Sequence, residues 1–179
     1  MSDRERAANA GEMVTASNMW TVKRRQKTAR IRRKDMSYKI FGDSCLDLTE
    51  ELKKDPRFEM IPLTLQVDDH MVIDDETFDQ KAFLKMVKES PKCPKTACPS
   101  PEAFKKACEC DADDVYIIAL SSHLSGTYNS AVLGKELYEE EHGKGSKNIL
   151  VIDSESASAG ELNEALAIRD MYELSLIHI

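Results

Sequence analysis

The sequence predicts an α/β domain: an open, mostly parallel sheet with flanking helices. Three observations predict it. Two apolar runs, Val115-Tyr116-Ile117-Ile118-Ala119-Leu120 and Ile149-Leu150-Val151-Ile152, lack the alternation of a half-exposed strand. Continuous apolarity of that length marks strands covered on both faces. Stretches with helical spacing separate the strands, the order expected of strand–helix–strand units. Finally, three strand patterns end in hydroxyl or carboxylate groups, at Asp43-Ser44, Ser121-Ser122 and Asp153-Ser154. Strand ends in a parallel sheet point the same way, so these groups should converge on one edge.

The elements follow in order. Tyr38-Lys39-Ile40-Phe41-Gly42 reads as a first strand. Leu46, Leu48 and Leu52 suggest a helix over residues 46–54. Residues 58–67 read as one second strand, with Pro62 marking an edge position or a bulge. Met71-Val72-Ile73 is a short return strand after the turn at Asp68-Asp69-His70. From Asp75, the spacing of Phe78, Phe83, Leu84 and Val87 predicts an amphipathic helix that Pro91 and Pro94 end. Ser100 caps a further helix, with Pro101 at its first position and Glu102 in its first turn. After the strand at Val115, Ser125 is placed as the N-cap of a helix opening at Gly126, with Tyr128, Ala131, Val132 and Leu137 or Tyr138 facing inward. Residues 148–154 form another strand. Ser158 or Gly160 opens a last helix through Leu162, Leu166 and Ile168.

Composition sets the bounds. The chain has 179 residues, 41% hydrophobic and only 6% aromatic, with a net charge of −7. Residues 1–35 hold ten Lys/Arg and four Asp/Glu, a net of +6. Taking these from the chain's 25 basic and 32 acidic groups leaves 15 and 28, a net of −13 for the body. An acidic body argues against nucleic acid as a partner. No apolar run approaches the roughly 20 residues that span a bilayer, so no integral membrane segment is expected. The five cysteines, Cys45, Cys93, Cys98, Cys108 and Cys110, are odd in number and lack metal-ligand spacing. They read as reduced thiols of a cytoplasmic protein. Residues 1–35 read as a disordered basic extension, with non-native sequence ahead of a start at Met36 as the alternative. Residues 36–174 read as the α/β domain. The apolar ending at residues 174–179 reads as truncation, with 175–179 as a non-native tail.

The chemistry expected at the sheet edge is that of holding an anion. Free N–H groups and the positive dipole end of a helix favour negative charge, and the segment from Ser121 to Ser125 surrounds that end with hydroxyls. Taken singly, each Asp or Ser is explained by capping or turn formation. Taken together, they describe a polar pocket. The alternative is a serine-dependent hydrolase or acyltransferase using Ser125 and His123. The Gly-x-Ser-x-Gly elbow is absent, because His123 stands two residues before Ser125 and Gly126 follows it directly. Neither phosphate-binding glycine fingerprint occurs, and no carboxylate cluster has metal-ligand spacing. The inventory favours a protein that holds its ligand, is not an enzyme, and needs no cofactor or metal.

Five blocks, in order, resemble one family. They are Gly42-Asp43-Ser44, Ile61-Pro62-Leu63, the segment from Pro94 to Pro101, the segment from Leu120 to Ala131, and Val151-Ile152-Asp153-Ser154 with Ala157-Ser158-Ala159-Gly160. Over residues 36–174 the chain resembles the N-terminal part of the DegV family of bacterial fatty-acid-binding proteins. The resemblance implies a bound long-chain fatty acid whose carboxylate is held by Thr96 and Ser125, with Ser122 and Gly126 in the same site. It implies that the acid is presented to a partner fatty acid kinase, which forms acyl phosphate for phospholipid synthesis. It also implies a second domain, truncated here, that closes over the acyl chain. One departure is that Ala97-Cys98 stands where the family has Ser-Gln.

Overall fold

The computed structural model describes residues 37–174. The residues of the predicted basic extension, and residues 175–179 of the predicted tail, lie outside the described part. Among the described residues seven strands form two sheets, accompanied by four α-helices. The strands are β1 (Tyr38–Asp43), β2 (Phe58–Ile61), β3 (Thr64–Val67), β4 (His70–Ile73), β5 (Lys95–Ala97), β6 (Asp114–Ala119) and β7 (Asn148–Asp153). The helices are α1 (Gln80–Glu89), α2 (Pro101–Cys108), α3 (Thr127–His142) and α4 (Ala159–Glu173).

The larger sheet is fully parallel, in the order β2-β1-β6-β7. Side chains alternate across it, as the two-residue period of a strand requires. Phe41, Val115 and Ile117 pack on one face with Phe104 of α2 and Ala131 and Tyr138 of α3. Ile40, Tyr116 and Ile118 pack on the other with Leu46, Leu48, and Ala165 and Ile168 of α4. Every residue of β6 is buried, which is why its sequence is an unbroken apolar run. The smaller sheet is antiparallel, in the order β4-β3-β5.

The α2–α3 contact depends on small side chains. Helix α3 buries Thr127, Ser130, Ala131, Gly134 and Tyr138, a stripe at helical spacing. A Cβ at Gly134 would lie 2.5 Å from Phe104 Cβ and 2.6 Å from the Pro101 carbonyl oxygen. Glycine there is what lets the two backbones approach. The Ser130 hydroxyl fixes the approach by donating to the Pro99 carbonyl at 2.6 Å.

Five local expectations are corrected. The strand at residues 148–153 is not covered on both faces: it is the edge of the larger sheet, with Ile149 buried and Leu150 half exposed. Residues 46–54 form a loop ending in one 3₁₀ turn, Leu52–Lys54. Leu46 and Leu48 both enter the core, and residues two apart cannot share a helix face. The single strand over residues 58–67 is two strands in different sheets, broken at Pro62-Leu63. Helix α1 begins at Gln80, capped by Asp79, and Phe78 precedes it, ring-to-ring with Phe83. The N-cap of α3 is Gly126, one residue later than placed, and it has no side-chain cap.

Candidate functional site

The order β2-β1-β6-β7 puts a topological switch point between β1 and β6. From β1 the chain crosses to β2 on one side, and from β6 to β7 on the other. Ligands of open α/β sheets bind outside the carboxyl ends of the strands at such a point. Register brings three polar strand ends side by side there: Gly42 pairs with Ile118, and Ala119 with Asp153.

Much of that polarity is structural. Asp43 is fully buried, with Oδ1 accepting from Cys45 N–H and Oδ2 from Leu120 N–H, both at 2.9 Å. It bridges the ends of β1 and β6. The Ser44 hydroxyl donates to Asp74 at 2.7 Å and accepts from Leu63 N–H at 3.1 Å, holding the sheet-to-sheet crossing. Asp153 Oδ1 accepts from Ser122 N–H at 3.0 Å. Hydrogen bonds from Ser122 hold the Asp153 carboxyl below the usual carboxylate range. Ser154 turns back on Ser156, its hydroxyl donating to the Ser156 carbonyl and accepting from the Ser156 N–H.

What these groups support is the turn from Ser121 to Gly126. Ser121 N–H donates to the Ser156 carbonyl, and the Ser121 carbonyl accepts from both Leu124 and Ser125 N–H. The turn delivers Ser125 to the start of α3. The half-buried Ser125 hydroxyl lies 2.9 Å from Thr127 Oγ1 and accepts from Thr127 N–H at 3.3 Å. Thr127 is fully buried. Thr127 N–H is thus taken by Ser125, while the N–H groups of Tyr128 and Asn129 in the same first turn have no helical partner four residues back. Leu124, 72% exposed, puts an apolar side chain on the same turn. His123 is exposed, and its N–H donates to Ser121 Oγ.

The predicted site residues fall into two groups. Ser122, Ser125 and Gly126 share the turn. Thr96 lies on β5, exposed, in the smaller sheet. The two groups meet at Cys98, whose Sγ lies 3.3 Å from where a Cβ on Gly126 would be. One residue, Ala97, separates Thr96 from Cys98, a reach of about 7 Å when extended. Thr96 also pairs across β3 with Leu65, which pairs with Val72 on β4. Residues directly opposite share a face, so Thr96 stands at the end of an apolar row. Thr127 and Cys98 are not among the predicted site residues. Thr127 carries a signal, a hydroxyl two residues beyond Ser125 at a helix start. Cys98 stands out in the sequence only as a departure from the family pattern, because its contact with Gly126 is between distant segments. Among the described residues no group of three or more His, Cys, Asp and Glu side chains is arranged to hold a metal ion.

The model of the family described as uncharacterised protein, DegV family, matches residues 37–174. The chain belongs to the DegV family. A DegV domain-containing protein of Streptococcus gordonii is 38% identical over 130 residues, covering 72% of this chain and 45% of that protein. A DegV family crystal structure from Ruminococcus gnavus, with vaccenic acid, is 46% identical at a TM-score of 0.75 and covers 78% of this chain and 50% of that one. The fatty acid kinase B3 protein of Streptococcus pneumoniae, loaded with linoleic acid, is 30% identical at a TM-score of 0.66, over 80% and 50% of the two chains. This DegV chain therefore spans about half the length of the curated relatives it matches. Among the described residues no helix is long and apolar enough to cross a membrane.

Proposed function

We propose that the chain binds a long-chain fatty acid by its carboxylate and presents it to a partner fatty acid kinase for acyl phosphate formation and phospholipid synthesis. One observation carries the headgroup part: a half-buried serine hydroxyl at the N-terminus of α3, with the Thr96 segment packed against that helix start through Cys98. A carboxylate there meets helix N–H groups, the positive end of the helix dipole and two hydroxyl donors. Thr96 and Ser125 are the anchors, and Ser122 and Gly126 shape the turn. The apolar row of Leu65 and Val72 leads away from Thr96 and suits an acyl chain, each buried CH₂ contributing about 0.8 kcal/mol. Solved relatives that carry fatty acids support the ligand class. The kinase as partner rests on the pneumococcal relative's description as a fatty acid kinase B3 protein.

The Ser125 hydroxyl is engaged with Thr127, and exposed His123 engages the turn through its N–H. A serine held this way suits holding a ligand better than attacking one, since a nucleophile needs an oriented base within reach. The test is organic extraction of the purified chain with mass spectrometry, followed by titration with oleate. Co-purifying fatty acid and saturable binding are expected. Thr96→Val with Ser125→Ala should abolish binding without changing the circular dichroism spectrum. Unchanged affinity in the double variant would refute the anchor assignment.

A further inference from the structure

We infer that Glu161 is a positioning residue for the headgroup turn: as a neutral acid buried under the β7–α4 loop it holds that loop against Ser121, and its ionisation releases the turn that carries Ser122 and Ser125. The inference deepens the headgroup reading and depends on it only for the ligand.

The observation behind it is a carboxyl group with no exposure at all. Glu161, in the first turn of α4, is fully buried. Its Oε1 accepts from the Ser158 N–H at 3.2 Å, while its Oε2 is buried without a hydrogen-bond partner. The groups facing it are acidic. From the end of β1 comes Asp43, fully buried, with both oxygens taken by Cys45 and Leu120 N–H. From the loop after β1 comes the Cys45 thiol, which burial and then the Asp43 charge push up to about 12. From α4 itself comes Glu164, one turn on, whose Oε2 is also buried without a partner. Burial first, and then the Asp43 charge, push the Glu161 carboxyl up to about 8. Burial beside Asp43 thus favours the uncharged acid, against the Ser158 N–H bond that favours the ionised form.

The loop above Glu161 is shaped to depend on it. Glu155 and Ser158 sit at φ of 47° and 55°, left-handed conformations that non-glycine residues hold only when their surroundings impose them. Glu161 is one such constraint, since it bonds the backbone of Ser158. Gly160 is another: a Cβ there would come 1.8 Å from Ser156 Oγ. The loop so placed sends the Ser156 carbonyl to Ser121 N–H, and Ser121 in turn supports Leu124 and Ser125. The link from Glu161 to Ser125 thus runs by hydrogen bond to Ser158, along the backbone through Ala157 to Ser156, and by hydrogen bonds through Ser121 to Ser125. Ionised Glu161 would add a second buried anion beside Asp43, a state relieved only by letting water in under the loop.

The experiment uses the whole chain and two-dimensional amide NMR across a pH series spanning the Glu161 ionisation. In the wild type, the Ser121, Ser125 and Ser156 amide resonances should titrate together with a midpoint near 8. In Glu161→Gln, which keeps the carbonyl acceptor for Ser158 but cannot ionise, they should stay at their low-pH positions throughout. Oleate affinity of the wild type should fall on the order of tenfold over the same range, and that fall should be absent from Glu161→Gln. Wild-type resonances that do not move, or that move identically in Glu161→Gln, overturn the inference. Resonances that titrate as expected in a chain that binds no oleate at any pH sustain the positioning role and refute the ligand instead. Should Glu161→Gln fail to fold, the carboxyl ¹³C shift of Glu161 in the wild type decides: a midpoint in the ordinary glutamate range overturns the inference.

Discussion

Replacing Gly134 by alanine tests the packing that brings the two halves of the site together. In an ordinary helix this change is stabilising by about 1 kcal/mol, because glycine has more conformational freedom to lose. Here the added Cβ would lie 2.5 Å from Phe104 Cβ, 2.6 Å from the Pro101 carbonyl oxygen and 3.0 Å from Lys105 N. Two of those three atoms are backbone, so no rotamer change relieves them. Restoring ordinary contact at 3.4 Å requires α2 to withdraw from α3 by roughly 0.9 Å as a unit. Overpacking of that kind costs about 1–3 kcal/mol, which cancels or outweighs the helix gain. The expected net loss is about 0–2 kcal/mol, or up to roughly 8 °C in Tm for a chain of this size. Urea unfolding should show a lower midpoint at unchanged slope. Because Pro99 precedes α2 and is bonded to Ser130, the withdrawal should also weaken oleate binding. A Gly134→Ala protein stabilised by the full helix-propensity gain would refute the close approach of α2 and α3.

Asp43→Ala should cost about 2–4 kcal/mol in urea unfolding, since it strands the half-buried Leu120 N–H and frees that of Cys45. A loss below 1 kcal/mol would mean the β1–β6 bridge is not formed. Ser130→Ala removes a buried donor from the Pro99 carbonyl and should cost about 1–3 kcal/mol; denaturant titration at neutral pH measures it. Glu161 also predicts a pH dependence of stability. Its carboxyl is raised in the folded state, so its stabilising contribution is fully present below the ordinary glutamate value and is lost as pH rises through about 8. Asp153 runs the other way: lowered in the fold, it stabilises above the ordinary aspartate value and that contribution is lost as pH falls. Thermal melts across pH should therefore lose, in Glu161→Gln, the decline between the ordinary glutamate value and about 8, and keep the one at acid pH.

Residues 115–120 were legible as a strand because burial on both faces leaves a local mark. Residues 149–152 were legible by the same apolarity, although β7 is a sheet edge on which Leu150 is half exposed. The polar strand ends and a helix starting beside Ser125 were also legible within short segments. The rest was not local. Residues 46–54 look helical by spacing, but Leu46 and Leu48 are both drawn into the core under β1. Residues 58–67 look like one strand, and only pairing partners decide that β2 joins β1 while β3 joins β5. Which acids are structural was equally hidden. Asp43 and Glu161 are residue types normally exposed, and nothing beside them in sequence announces full burial.

By itself, then, the sequence determined the class of fold, the edge on which polar groups gather and the helix that starts beside Ser125. These follow from periodicity and from the shared direction of parallel strands, both properties of short segments. The tertiary structure alone decided the strand order that opens a switch point between β1 and β6, the contact that seats Cys98 against Gly126, and the burial of Glu161 beneath the turn it supports. Those depend on surfaces far apart in sequence meeting, and contact energies between such surfaces leave no period in the chain.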